Sequence, residues 1–169
     1  MATHRISILG GNTLPDSLGS VFFEPTSIGF ANDRWPHGMW TYLPATGLQS
    51  IYGTFEVPVN FVSAPNFILV WTGSTITGSF ALGVAYRNVS GTGGESFDQT
   101  GVSESGTVTI NANTLITPFN RMEASISATA GSLRPYSTNQ FQIFYSGNAP
   151  VGSYVTNIHL IDALLQYSD

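Results

Sequence analysis

Between residues 49 and 88, the hydrophobic and polar positions form three short runs, separated by prolines and by a Thr/Gly/Ser cluster. The first run, 51–57, alternates apolar with polar residues, which is the two-residue period of a strand with one buried face. The second, 67–71, is continuously apolar, so both of its faces should be covered. The third, 80–87, alternates bulky with small residues, and the small face predicts close approach of another layer or another chain. Three such strands predict the centre of a two-sheet sandwich.

Further runs of the same kind follow. Strands are predicted over 107–110, 122–127 and 141–145. The last segment, 155–167, is also predicted to be a strand, and its apolar residues alternate so imperfectly that we expect a β-bulge. A helix over 161–165 is the alternative there, although the strand context favours the extended form. The chain is therefore predicted to be all-β, a jelly-roll-like β-sandwich of about eight or nine antiparallel strands.

Residues 1–45 depart from this pattern and predict an extended N-terminal arm, which leaves 46–169 as the sandwich domain. Glycine and proline recur too often in the arm for long regular elements, apart from a short strand within 3–9. Large apolar side chains lie between them, so the arm should pack on its own barrel or on a neighbouring chain. The stretch 35–40 is either a loop closing the end of the sandwich or an interface anchor. The candidate interface residues are Phe22, Phe23, Phe30, Trp35, Met39, Trp40 and Tyr42.

The low content of charged residues affects what the surface of this sandwich is expected to contact. Only 9% of the residues are charged, against about 25% in ordinary domains. Either neutral polar residues supply the solvated surface or, as we favour, much of the surface packs against other subunits. A net charge of −5 without a basic patch predicts no nucleic-acid binding. We also expect no membrane contact and no signal peptide, because no long apolar run or charged leader is present.

The polar residues form no motif that is specific to one chemistry. The chain has no cysteine, which excludes disulfides and thiolate chemistry. His4, His37 and His159 are far apart and lack metal-site spacing, so we expect no metal and no cofactor. Glu95 and Asp98 lie on a glycine-rich loop that would suit calcium, but they are more simply interpreted as solvated acids.

An enzymatic function finds little support in the acids and serines. A glycosidase needs two carboxylates across a cleft, and Glu56 and Glu123 both alternate outward from predicted strands. Acids in such positions are usually plain surface residues. No GxSxG elbow marks a nucleophilic serine. We therefore expect that the protein is not an enzyme.

From residue 49 to the C-terminus, the chain resembles a group of short all-β virion proteins of tailed bacteriophages. The resemblance rests on Phe55-Glu56-Val57-Pro58, the apolar run 66–71, Val84-Ala85-Tyr86-Arg87, the loop carrying Glu95 and Asp98, and the segment 161–167. It implies a jelly-roll virion component, made in the host cytoplasm and located on the capsid surface. It carries over no catalytic residues.

The leading hypothesis is a capsid decoration (cement) protein that binds the major capsid protein and stabilises the assembled head by mass action. The resemblance implies an oligomer, with a homotrimer expected first and a dimer next. Deleting 1–45 should then abolish capsid binding and leave the sandwich folded. The alternative is a receptor- or glycan-binding adhesin domain of a phage tail or head fibre, since jelly rolls also bind carbohydrate. There Trp35 and Trp40 are candidates, whereas Trp71 is expected in the core; a hydrolase or a non-viral lectin is the third class.

Overall fold

All regular elements of the described residues are β-strands. The computed structural model describes residues 2–10, 12–15, 21–24, 38–43, 48–73, 79–89, 104–111, 120–128, 133–146 and 157–169. Eleven strands lie in these ranges: β1 (Thr3–Ser7), β2 (Leu14–Pro15), β3 (Val21–Glu24), β4 (Met39–Tyr42), β5 (Leu48–Glu56), β6 (Ser63–Gly73), β7 (Ser79–Val89), β8 (Glu104–Asn111), β9 (Met122–Ser127), β10 (Thr138–Ser146) and β11 (Ile158–Ser168).

The strands form two antiparallel sheets. The six-stranded sheet has the order β3-β4-β11-β6-β9, and β1 pairs with β11 as well. The five-stranded sheet has the order β2-β5-β10-β7-β8. The apolar side chains of both sheets meet in one continuous core, which confirms the predicted all-β sandwich.

The continuous apolar run in β6 lies at the centre of the six-stranded sheet. Phe67, Leu69 and Trp71 belong to the core between the sheets, and the alternating residues Ile68 and Val70 are equally inaccessible on the other face. The expectation that both faces of this strand are covered is therefore confirmed. Trp71 lies in the core as predicted, with its ring edge-on to another core ring, that of β7, at 5.4 Å between centroids.

The last strand, β11, carries the predicted bulge. Its register with β6 shifts between Leu160 and Asp162, which explains the imperfect alternation of its apolar residues. The helical alternative for 161–165 is wrong. On its other edge, β11 pairs with β4 over Ile158–Leu160 and with β1 over Leu164–Ser168.

The described residues of 1–45 contribute four strands to the two sheets: β1, β3 and β4 to the six-stranded sheet, and β2 to the five-stranded sheet. β4 is buried along its whole length, and the Tyr42 hydroxyl donates to the Ile143 carbonyl of the facing sheet at 3.1 Å. The described parts of this region thus pack on the chain's own sandwich. β1 lies within the short strand predicted over 3–9. The strand count exceeds eight or nine because β2, β3 and β4, of two to four residues, hardly interrupt a Gly/Pro-rich pattern. A domain boundary at residue 45 stays a prediction.

The small-residue face of β7 is covered by a neighbouring side chain. Phe144 on β10 is the register partner of Gly83. A Cβ atom on Gly83 would lie 2.2 Å from the Phe144 ring. At this point the close approach comes from the adjacent strand of the same sheet, and not from another layer or chain as we had expected.

Candidate functional site

The outer face of the five-stranded sheet carries a patch of polar and aromatic side chains. In β5 and β10 the inward residues Ile51, Phe141 and Ile143 belong to the core, so the residues between them point outward. Cross-strand register then places outward residues from four strands side by side. We call this surface the polar face; it includes Leu14, Ser50, Tyr52, Ala85, Arg87, Gln140, Gln142 and Phe144.

Tyr52 is the exposed aromatic ring at the centre of the polar face, with 44% of its surface accessible. Its neighbours across the sheet are Leu14 on β2 and Gln142 on β10. The Gln142 amide nitrogen donates to the Tyr52 hydroxyl oxygen at 3.2 Å and to the Ser50 hydroxyl oxygen at 2.8 Å. Because both donors of this amide are engaged, its orientation and that of the phenol ring are fixed relative to each other.

A second polar pair lies in the next row of the polar face. Arg87 on β7 and Gln140 on β10 are register partners, and the guanidinium Nε donates to the Gln140 side-chain oxygen. Ala85, two residues before Arg87 on β7 and opposite Gln142 on β10, presents only a methyl group. The surface of the sheet is therefore recessed at Ala85, and longer polar side chains surround this position.

The recess above Ala85 is a shallow pocket of about 230 Å³. Its lining includes Tyr52, Ala85, Arg87, Gln140 and Gln142. No carboxylate of the described residues lines it. Amide groups both donate and accept hydrogen bonds, and guanidinium groups donate them. A phenol ring offers an apolar face with a polar tip. The arrangement suits a neutral ligand that has many hydroxyl groups and one apolar side.

Those interface residues predicted from sequence that the structure describes lie in the other sheet. Phe23 is 52% exposed at the edge of the six-stranded sheet, whereas Met39, Trp40 and Tyr42 are buried inside the chain. The side chain of Phe22, and all of Phe30 and Trp35, lie outside the described residues. Their role in binding another chain stays a prediction.

Sequence reasoning did not find the polar face. The signal was present, because polar residues alternate with apolar ones over Leu48–Glu56 and Thr138–Ser146. Such alternation identifies a solvent-facing side of a strand. It does not indicate which strands are neighbours, so it could not bring Tyr52 and Gln142 together.

The two candidate glycosidase acids lie on the outer faces of different sheets, Glu56 on β5 and Glu123 on β9. They therefore cannot flank one glycosidic bond. Glu123 instead forms ion pairs with Arg121 at 2.7 Å and with Arg5 at 3.2 Å. The hydrogen bond from Arg121 lowers the pKa of Glu123, and the positive charge of Arg5 adds to this effect. These contacts describe a structural acid.

The described histidines have partners unrelated to a metal. His4 Nε2 lies 3.0 Å from an Asp169 carboxylate oxygen, and His159 Nδ1 lies 2.9 Å from the Thr41 hydroxyl. Within the described ranges, no three His, Asp or Glu side chains converge as metal ligands would. His37, Glu95 and Asp98 lie outside those ranges. The described residues also include no helix that is long and apolar enough to cross a membrane.

The chain is similar in fold to several solved structures. No protein-family model and no curated protein matches the sequence. Two crystal structures of a family 30 carbohydrate binding module are similar to the chain, both at 10% identity. One has a TM-score of 0.53 over 98% of this chain and 89% of that chain, and the other has 0.50 over 97% and 98%. A structure of TmCBM61 in complex with beta-1,4-galactotriose gives a TM-score of 0.46 at 11% identity, over 92% and 87%.

At such low identity these similarities show the fold alone. The predicted jelly-roll β-sandwich is confirmed. The comparisons support this part of the resemblance to phage virion proteins, but they do not support that family specifically.

Proposed function

We propose that the protein is a non-catalytic carbohydrate-binding domain and that the polar face is its binding surface. The observation that carries the proposal is the exposed Tyr52 ring held beside the Gln142 amide. The structural neighbours are carbohydrate binding modules, so their fold is compatible with this function. This is the adhesin alternative of the sequence analysis, with the site moved to a different surface.

The chemistry of the polar face favours neutral glycans. A sugar ring has an apolar side of C–H groups, which packs on an aromatic face, and hydroxyls around its rim. Gln140, Gln142 and Arg87 surround the pocket with groups that bind such hydroxyls. With a net charge of −5, the protein would repel acidic polysaccharides, whereas a neutral glycan requires no charge on the protein.

Calorimetric titration with neutral oligosaccharides of xylose, glucose, galactose and mannose tests the proposal. We expect one of these series to bind, and Tyr52→Ala to weaken binding about tenfold through loss of roughly 1.4 kcal/mol of stacking. Tyr52→Phe keeps the ring and should retain most of the affinity.

The matched control is Tyr136→Ala, which removes a 76% exposed ring outside the polar face. It should leave affinity unchanged. An equal loss in both variants would show that the ring at Tyr52 is not specific to the site. A panel without any binding oligosaccharide would remove the carbohydrate proposal.

Capsid decoration remains the second candidate, because the low charge fraction of 9% suits a surface that packs against other chains. We propose for it a homotrimer, or else a dimer, bound to the major capsid protein on the virion surface. Immunogold labelling of virions from the source would place the label evenly over the head in that case. Label at the tail tips would favour a receptor-binding adhesin on a tail or fibre, and unlabelled virions would contradict both phage locations.

A further inference from the structure

A second and larger pocket lies where β11 changes its partner strand. β4 pairs with β11 as far as Leu160, and β1 begins its pairing at Leu164. Ile161 and Asp162, at the bulge, therefore face a gap between β1 and β4. We call this gap the notch. Its pocket has a volume of about 610 Å³, within the range of small-molecule sites.

Two aromatic rings form one wall of the notch. The Phe23 ring is half exposed and meets the Trp40 ring edge-on, with centroids 5.3 Å apart and planes at 61°. A Cβ atom on Gly38 would come within 2.6 Å of the Phe23 ring, so this glycine provides the space in which the ring lies. The Phe23 ring is the exposed one, and the otherwise buried Trp40 ring lines the notch only with its accessible part; the π faces of such rings carry partial negative charge.

A carboxylate that forms no ion pair with any described residue, that of Asp162, lines the same notch. Asp162 Oδ1 accepts hydrogen bonds from the Ser7 hydroxyl at 2.6 Å and from the Ala163 amide at 2.8 Å. These contacts hold the group in place and leave its charge uncompensated, because no ion pair to Asp162 occurs among the described residues. The notch thus combines fixed negative charge with aromatic walls.

Thr13 adds an unused polar group. This residue lines the notch and is 7% exposed, and its hydroxyl has no hydrogen-bond partner in the part of the chain that the structure describes. A buried hydroxyl without a partner is unfavourable by itself. The oxygen is inaccessible and would lie 3.4 Å from a Cβ atom on Gly53, so we assign it no contact with a ligand in the notch.

We propose that the notch binds a small organic ammonium ion, such as a quaternary ammonium head group. The π faces of Phe23 and Trp40 attract a cation with an apolar surface, and Asp162 compensates its charge. A neutral sugar fits less well, because the two rings at 61° offer a corner and not a flat platform, and the carboxylate would stay uncompensated. This inference is independent of the carbohydrate proposal, since it concerns the other sheet.

Titration of the protein with choline tests the inference, with 3,3-dimethylbutan-1-ol as the neutral ligand of the same shape. Choline should bind more tightly than the alcohol. Asp162→Asn should weaken choline binding but not alcohol binding, because it removes the charge and keeps an oxygen that accepts from Ser7. Phe23→Leu keeps an apolar side chain and removes the π face, so choline affinity should fall about 2- to 30-fold.

Two controls make the result specific. Tyr52→Ala should leave choline affinity unchanged, and Phe23→Leu should leave oligosaccharide affinity unchanged, so the two proposals fail separately. Circular dichroism spectra matching the wild type would establish that the variants are folded. Equal affinity for choline and the alcohol, unchanged choline binding by Asp162→Asn, or no choline binding would each overturn the inference.

Discussion

At the scale of single residues, Gly83 shows how little space the polar face leaves next to Phe144. A Cβ atom there would lie 2.2 Å from the ring, so Gly83→Ala must displace it. We expect a loss of about 1–3 kcal/mol in the free energy of unfolding, as for other overpacked sites. Urea denaturation monitored by fluorescence measures this change.

The double variant Gly83→Ala/Phe144→Ala provides the control for this prediction. Without the ring, the added methyl group meets no obstacle and reduces the conformational freedom of the unfolded chain. The alanine at residue 83 should then be neutral or slightly stabilising in the Phe144→Ala background. Strictly additive effects of the two substitutions would show that ring and glycine are not coupled.

At the scale of elements, an ion-pair cluster connects strands at the two ends of the six-stranded sheet. Glu123 on β9 binds Arg5 on β1 and Arg121 before β9. The hydrogen bond from Arg121, and then the charge of Arg5, hold the pKa of Glu123 below its usual value of 4.5. The unfolded state therefore binds more protons than the folded state between the two pKa values, and stability falls as pH decreases through that window.

The variant Glu123→Gln should remove this contribution. Its stability near neutral pH should be lower by about 0.5 kcal/mol, the size typical of exposed pairs, and its decline between pH 5 and pH 3 should be less steep than that of the wild type. Urea midpoints measured across this range test the prediction. Glu56→Gln, which changes an exposed acid on the other sheet, is the control and should follow the wild-type profile. A Glu123→Gln profile parallel to the wild type would contradict the prediction.

At the scale of the whole molecule, the described strands of residues 1–45 pair with the strands of the sandwich. Residues 1–45 supply strands to both sheets, and β4 lies between β3 and β11 with all four residues buried. Removing residues 1–45 would expose the core along β11. We expect the truncated chain to lose its cooperative thermal transition, unlike the folded remainder predicted from sequence.

A chain lacking only residues 1 and 2 is the matched control, because it keeps every strand of both sheets. It should unfold cooperatively close to the wild-type temperature. Circular dichroism during heating measures both chains. A truncation at residue 45 that still unfolds cooperatively would show that the arm is separable and would restore the binding role first expected of it.

Some features of the fold could be predicted from the sequence, and others could not. The strands of the central region, the core position of Trp71 and the bulge in β11 follow from periodicity, which is a local property of the chain. Of the N-terminal strands, β1 lies within the short strand predicted over 3–9, whereas β2, β3 and β4 were missed because their short length gives too few alternations to recognise. Residues 21–24 and 39–42 become strands through pairing with each other and, for 39–42, with β11.

By itself, the sequence determined the all-β class, most of the strand positions and the core-facing side of the strands in which apolar and polar residues alternate regularly. Only the tertiary structure decided which strands are neighbours. Tyr52 and Gln142 are 90 residues apart, and the notch depends on β11 exchanging β4 for β1 at its bulge. Such sites are set by register between distant segments, and register is fixed by the packing of both sheets into one core.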